Sequence, residues 1–195
     1  NESDCFAQPP VLEPYRSRLE ARYRTWAEER DLPVPAEAVD FAHPDAQIAR
    51  FLVEVMAGYY RDMIGHLRSI GVKIPINGTN WSINLGVLAA NLATDLTDSH
   101  TYWAFPQWES TGTDTTPMVS VPTNTFAVLT QERVLDKPFF VSEWDHAWPD
   151  EWRAESPLAY AAVGALQGWS GLTIHTYRYG TWKPVDRLGG GGSTI

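Results

Sequence analysis

Four short apolar runs alternate along the chain with helical stretches, and that alternation restricts the fold more than any other feature of the sequence. Over residues 44–71, Ile48, Phe51, Leu52, Val55, Met56, Tyr59, Met63, Leu67 and Ile70 keep a 3.6-residue period up to Gly71. This predicts one amphipathic helix closed by a glycine just past its end. The apolar run 72–76 follows, and then the turn-rich Asn77-Gly78-Thr79-Asn80. The order then repeats: 83–92 as helix and 93–99 as strand, 124–135 as helix and 138–142 as strand, 151–167 as helix and 172–176 as strand. An earlier helix is expected over 14–30, with Tyr15, Leu19, Tyr23 and Trp26 on one face. Strands joined by helical stretches imply right-handed parallel crossovers, and a run as apolar as Phe139-Phe140-Val141 implies burial on both faces. The expected class is α/β, with four parallel strands alternating with helices.

Composition removes several functions. The 195 residues carry a net charge of −9, and their Lys and Arg are scattered, so no basic stripe exists to neutralise phosphates and no nucleic-acid partner is expected. Apolar runs break long before the roughly 18 residues a membrane span needs, so no membrane partner is expected either. A single cysteine, Cys5, excludes a disulfide within the chain and a Cys-based zinc cluster. The chain starts at Asn1 with neither a Met nor a signal-like segment, so the true beginning of the gene product is expected to lie outside it and the compartment stays open. Residues 189–195 contain four consecutive glycines and read as a flexible tail, either a linker or a glycine-rich loop.

Each expected strand ends in polar or aromatic residues: Asn77 and Asn80, His100 and Tyr102, Glu143 and Asp145, His175 and Tyr177. In parallel α/β sheets that carboxyl edge is where ligands sit. Glu143 closes the most β-like segment, which puts a carboxylate at the active edge. Beside it Glu2 gains interest, because two carboxylates flanking one bond supply a general acid and a nucleophile for glycoside hydrolysis. Asn80 and Trp81 offer an amide for sugar hydroxyls and an indole for a pyranose face; an Asn-Gly turn with an anchoring Trp accounts for them equally. Trp144 and Trp148 follow a strand end and are expected to wall a cleft.

Asn1-Glu2, His100-x-Tyr102 and the strand-borne Glu143 together resemble the C-terminal half of a clan A glycoside hydrolase, the (β/α)8 superfamily of cellulases, mannanases and β-galactosidases. The resemblance implies that Asn1-Glu2 closes strand four and that the four apolar runs are strands five to eight of a TIM barrel. Residues 1–195 then form a partial catalytic domain that needs the N-terminal half of the barrel. A chain of this length is short of the roughly 250 residues of a closed barrel. The resemblance further implies that Glu2 is acid/base, Glu143 nucleophile and Asn1 a ligand of the sugar hydroxyl beside the reacting carbon. His100 and Tyr102 orient the nucleophile or bind substrate, and the activity is retaining hydrolysis of a β-linked oligo- or polysaccharide without cofactor or metal. An extracellular or periplasmic setting follows only if the substrate is a polysaccharide. His175 and Tyr177 are expected to line the sugar site, although many members of the superfamily carry a Trp at the end of strand eight. Two other readings use the same residues. His100, Glu143, Asp145, His146 and His175 could converge on a divalent ion in a metal-dependent barrel hydrolase or isomerase, or the aromatics could hold a glycan without turnover.

Overall fold

The computed structural model describes residues 4, 6, 11–81, 84–103, 116–146 and 150–176. The chain divides into two compact units, Asn1–Asp95 and Leu96–Ile195.

The first unit is helical. Helix α1, Tyr15–Glu28, buries Tyr23, Trp26 and Ala27, whereas Tyr15, expected on the same face, stands exposed. It closes with Asp31 at positive φ, where the Leu32 N–H reaches back to the Ala27 carbonyl. Helix α2, Ala46–Ser69, starts at Asp45, whose carboxylate accepts the Ile48 N–H at 2.8 Å. It ends as the sequence predicts at Gly71, φ +97°, with the Val72 N–H on the Leu67 carbonyl. Only the first half of its apolar stripe and Tyr60 are buried; Tyr59, Met63 and Ile70 are exposed. The core joins Tyr23, Trp26 and Phe41 to Ile48, Phe51 and Leu52. Phe51 meets Tyr23 at 5.3 Å and Trp26 at 5.5 Å in edge contacts.

The run 72–76 forms no strand, which corrects the first of the four expected. Pro75 lacks an N–H, and side chains take the backbone groups that a sheet neighbour would take. Arg68 donates to the Val72 and Ile74 carbonyls at 2.9 and 2.8 Å, and Asp95 accepts the Ile76 N–H at 2.7 Å. The Ile76 carbonyl accepts the Asp95 N–H at 3.0 Å. Helix α3, Leu85–Asn91, is shorter than expected and is capped by Asn84, which accepts the Val87 N–H at 2.9 Å.

The second unit alternates strands and helices: β1 Thr97–Trp103, α4 Thr125–Glu132, β2 Phe139–His146, α5 Glu155–Gln167 and β3 Gly171–Ile174. The strands form one parallel sheet in the order β1-β2-β3, so the α/β class stands with three strands among the described residues. Helix α5 stops at Gly168, φ +67°. Strand β1 begins later than expected because turn bonds from Ala93 and Thr94 to the Ala90 and Asn91 carbonyls still close α3. The core lies between helices and sheet and contains Met118, Leu129, Phe139, Val141, Trp144 and Tyr160.

The sheet departs from regular pairing in the middle of β2. Ser99 pairs with Val141 but His100 pairs with Glu143, and a shift in the same stretch of β2 recurs against β3. Ser142 is therefore an extra residue, a β-bulge in β2. Its backbone is satisfied by side chains: the N–H donates to Asp98 Oδ1 at 2.9 Å, and the Thr173 hydroxyl donates to its carbonyl.

Candidate active site at the bulged strand

Alternation along β1 sends Ser99, Thr101 and Trp103 toward the helices and Asp98, His100 and Tyr102 to the opposite face. Ser99 bonds Glu132 of α4, and Trp103 packs on the core. On β2 the core takes Val141 and Trp144, three residues apart, so the bulge leaves both intervening residues, Ser142 and Glu143, on the face of Asp98, His100 and Tyr102. Strand β2 runs on to His146, so Glu143 lies inside the strand rather than closing it. His100 and Tyr102 likewise lie within β1, and His175 directly follows β3.

Three side chains meet Glu143 at one oxygen. The Tyr102 hydroxyl donates to Oε2, His100 Nδ1 lies 3.3 Å away and His175 Nδ1 3.7 Å away. Tyr102 is also 3.3 Å from His175 Nδ1, so its hydroxyl sits between the carboxylate and the second imidazole. The carboxylate side chain is 28% exposed, His100 5% and His175 37%. Glu143 is thus fastened from below by a buried histidine and remains open to a ligand beside an exposed one. Behind the site, His100 Nε2 is 2.9 Å from Ser142 Oγ, and burial pushes the Asp98 carboxyl above the usual carboxylate range. Burial likewise raises Asp145.

The remaining expected residues divide three ways. Trp144 is a core residue, 6% exposed and stacked on Tyr160 at 4.6 Å, which corrects its place in a substrate cleft. Simple alternation already separates it from Glu143. Asn80 and Trp81 belong to the first unit, half-buried in a loop held by Asn91, whose amide bonds both the N–H and the carbonyl of Thr79. The Trp81 N–H donates to the Thr79 hydroxyl at 3.2 Å. Asn1, Glu2, Trp148 and Tyr177 lie outside the described residues.

Ser142 reaches His100 in a way that alternation could not signal, because only the bulge brings it to this face. Asp98 was visible in the period-two spacing Asp98-x-His100-x-Tyr102. Past the site, Ser156 Oγ lies 2.6 Å from His146 Nδ1, and Asp150 Oδ2 lies 2.9 Å from Nε2, out of line for a hydrogen bond. The order is that of a Ser–His–Asp triad, but Ser156 is fully buried, so the group fastens the end of β2 to the first turn of α5. Among the described residues no group of three or more His, Cys, Asp or Glu is placed to hold a metal ion.

No protein-family model, curated protein or solved structure matches the chain.

Proposed function

We propose that the protein is a retaining glycoside hydrolase acting on a β-linked oligo- or polysaccharide, with Glu143 as nucleophile. The observation that supports this reading is the convergence of the Tyr102 hydroxyl and two imidazoles on one oxygen of a partly exposed strand carboxylate. A nucleophile for glycosyl transfer must be ionised, oriented and within reach of a sugar ring. The Tyr102 O–H donates to the charged form, His100 fixes the rotamer, and the remaining exposure leaves the other carboxylate oxygen to the anomeric carbon. His175 stands beside the same opening and binds a substrate hydroxyl. Glu2 supplies the proton to the leaving oxygen and then activates water, Asn1 holds the hydroxyl next to the reacting carbon, and neither cofactor nor metal takes part. In this reading the three-stranded sheet belongs to a TIM barrel, whose other strands pair with the edges of β1 and β3. Trp148 and Tyr177 complete the sugar contacts.

The test is hydrolysis of a panel of aryl β-glycosides by the intact protein. Glu143→Gln is expected to lower kcat by about 10⁴-fold or more. Azide should restore turnover to Glu143→Ala and yield an α-glycosyl azide, the product of attack from the face the nucleophile vacates. A folded protein that cleaves none of the panel, or a Glu143→Gln variant as active as wild type, would falsify the assignment.

A further inference from the structure

The first unit holds a recess that the site on β2 does not use. Arg22, Thr25 and Trp26 on one face of α1 and Val55 and Arg61 on α2 border a cleft of about 570 Å³. That volume falls within the range of small-molecule sites, roughly 300–1,000 Å³, and far exceeds a bare inorganic anion.

The charges along it are unequally matched. Glu54 accepts the Trp26 indole N–H at 2.7 Å, an Arg30 N–H at 3.1 Å and an Arg50 N–H at 3.0 Å. Arg30 also lies 3.6 Å from Glu29, with its guanidinium carbon 4.9 Å from the centre of the Trp26 ring. Glu29 and Glu54 are therefore both engaged already. Arg22 and Arg61 are left without a counter-charge among the described residues. Neither helix can supply one a turn away: Arg22 has Arg18, Leu19, Thr25 and Trp26 around it, and Arg61 has Ala57, Gly58, Ile64 and Gly65. Arg24 and Arg50, by contrast, have Glu20 and Glu54 four residues away and pair with them.

Two like charges in one recess repel, although the chain carries 24 acidic residues against 15 Lys and Arg. A guanidinium stays charged and presents a planar fork of donors that matches a carboxylate or a phosphate. An anion seated between Arg22 and Arg61 removes the repulsion and satisfies both forks. We propose that this cleft binds a small organic anion, whose carboxylate or phosphate is held by Arg22 and Arg61 while its carbon frame lies on Val55 and the edge of Trp26. Trp26 is 7% exposed and clamped by Glu54 and Arg30, so that wall is in place before a ligand arrives. The Thr25 hydroxyl donates to the Ala21 carbonyl at 3.2 Å, which leaves its oxygen as an acceptor for a ligand hydroxyl. The cleft lies wholly in the helical unit, and its ligand is independent of the role of Glu143.

The intact protein can be titrated with phenyl phosphate, benzoate, benzyl alcohol and inorganic phosphate while ¹H–¹⁵N spectra follow the amides of α1 and α2. At least one of the two organic anions should shift these amides saturably, with a Kd of about 1 mM or tighter. The tighter of the two identifies the anionic group that the cleft prefers. Benzyl alcohol, which has the ring without the charge, should leave the amides unshifted, and inorganic phosphate should bind about tenfold more weakly than phenyl phosphate or not at all. Arg22→Gln and Arg61→Gln should each weaken the preferred anion by about tenfold, the usual loss of one charge-assisted contact. Both arginines are exposed, so the variants should fold as wild type does, with unchanged signals in β1, β2 and β3. The site is overturned if neither organic anion gives a saturable shift, or if both glutamine variants bind as wild type does. Benzyl alcohol or inorganic phosphate binding as tightly as the organic anion overturns it as well. None of these readouts involves hydrolysis, so failure here leaves the glycosidase reading standing, and an inactive protein that still binds the anion leaves this site standing.

Discussion

Glu132, the last residue of α4, is buried against the sheet with the Ser99 hydroxyl as its partner, and burial pushes its carboxyl up to about 7. One hydroxyl does not replace the hydration a carboxylate loses, so the folded protein holds the proton more tightly than the unfolded chain does. The stability this contributes is fully present below the unfolded value near 4.5 and is lost as pH rises through about 7. The shift corresponds to a difference on the order of 3 kcal/mol between the two limits. Glu132→Gln keeps the shape and removes the titration. Its stability relative to wild type should climb between pH 5 and pH 8 in urea denaturation, by up to that amount, whereas a difference that stays flat across this range contradicts the account. The buried Asp98 and Asp145 act with the same sign in both proteins and cancel in the comparison. Nothing in the sequence marked Glu132, since an acidic residue near a helix end ordinarily faces water. Glu143 was legible because a carboxylate closing an apolar run is unusual. Trp144 was misplaced by giving its aromatic character more weight than its alternation.

At the scale of elements, the joint between β2 and β3 depends on an absent side chain. A Cβ on Gly171 would lie 2.3 Å from Cε2 of Phe140, far inside van der Waals contact, and Phe140 pairs with Gly171 in the register. Gly171→Ala should therefore push the Phe140 ring aside and cost about 1–3 kcal/mol, the usual penalty of overpacking. A chemical denaturation midpoint unchanged from wild type would show that the ring moves freely. Because Phe140 stands three residues before Glu143, the same variant tests how firmly the site's strand is seated. Helices and their ends were readable from period and from Gly71, since both rest on local chemistry. The failed strand at 72–76 and the bulge were not. Arg68 and Asp95 take the backbone of that run from outside its own sequence, and Ser142 leaves the alternation only because Asp98 and Thr173 bond its backbone groups from neighbouring strands.

On the scale of the whole molecule, the alternation of helices and apolar runs predicted the α/β class, and the parallel order β1-β2-β3 agrees. The sequence did not reveal that the described residues gather into two separate cores. One gathers Tyr23, Trp26, Phe41 and Phe51 around the helices α1 and α2, and the other gathers Leu129, Phe139, Val141 and Tyr160 between sheet and helices. A periodic pattern shows that a face is apolar but not which other face it joins, so two cores and one look alike until the chain is folded. The division has a measurable consequence. Phe51 and Leu129 are both fully buried, one in each core. Truncating either to alanine should cost about 2–5 kcal/mol, from lost burial and the cavity left behind. If each unit is held by its own core, Phe51→Ala speeds hydrogen exchange in α1 and α2 while the amides of β1, β2 and β3 keep their protection, and Leu129→Ala does the reverse. An equal rise throughout the chain for either variant means that the two cores unfold as one, and the site on β2 is then as sensitive to the helical unit as to its own sheet.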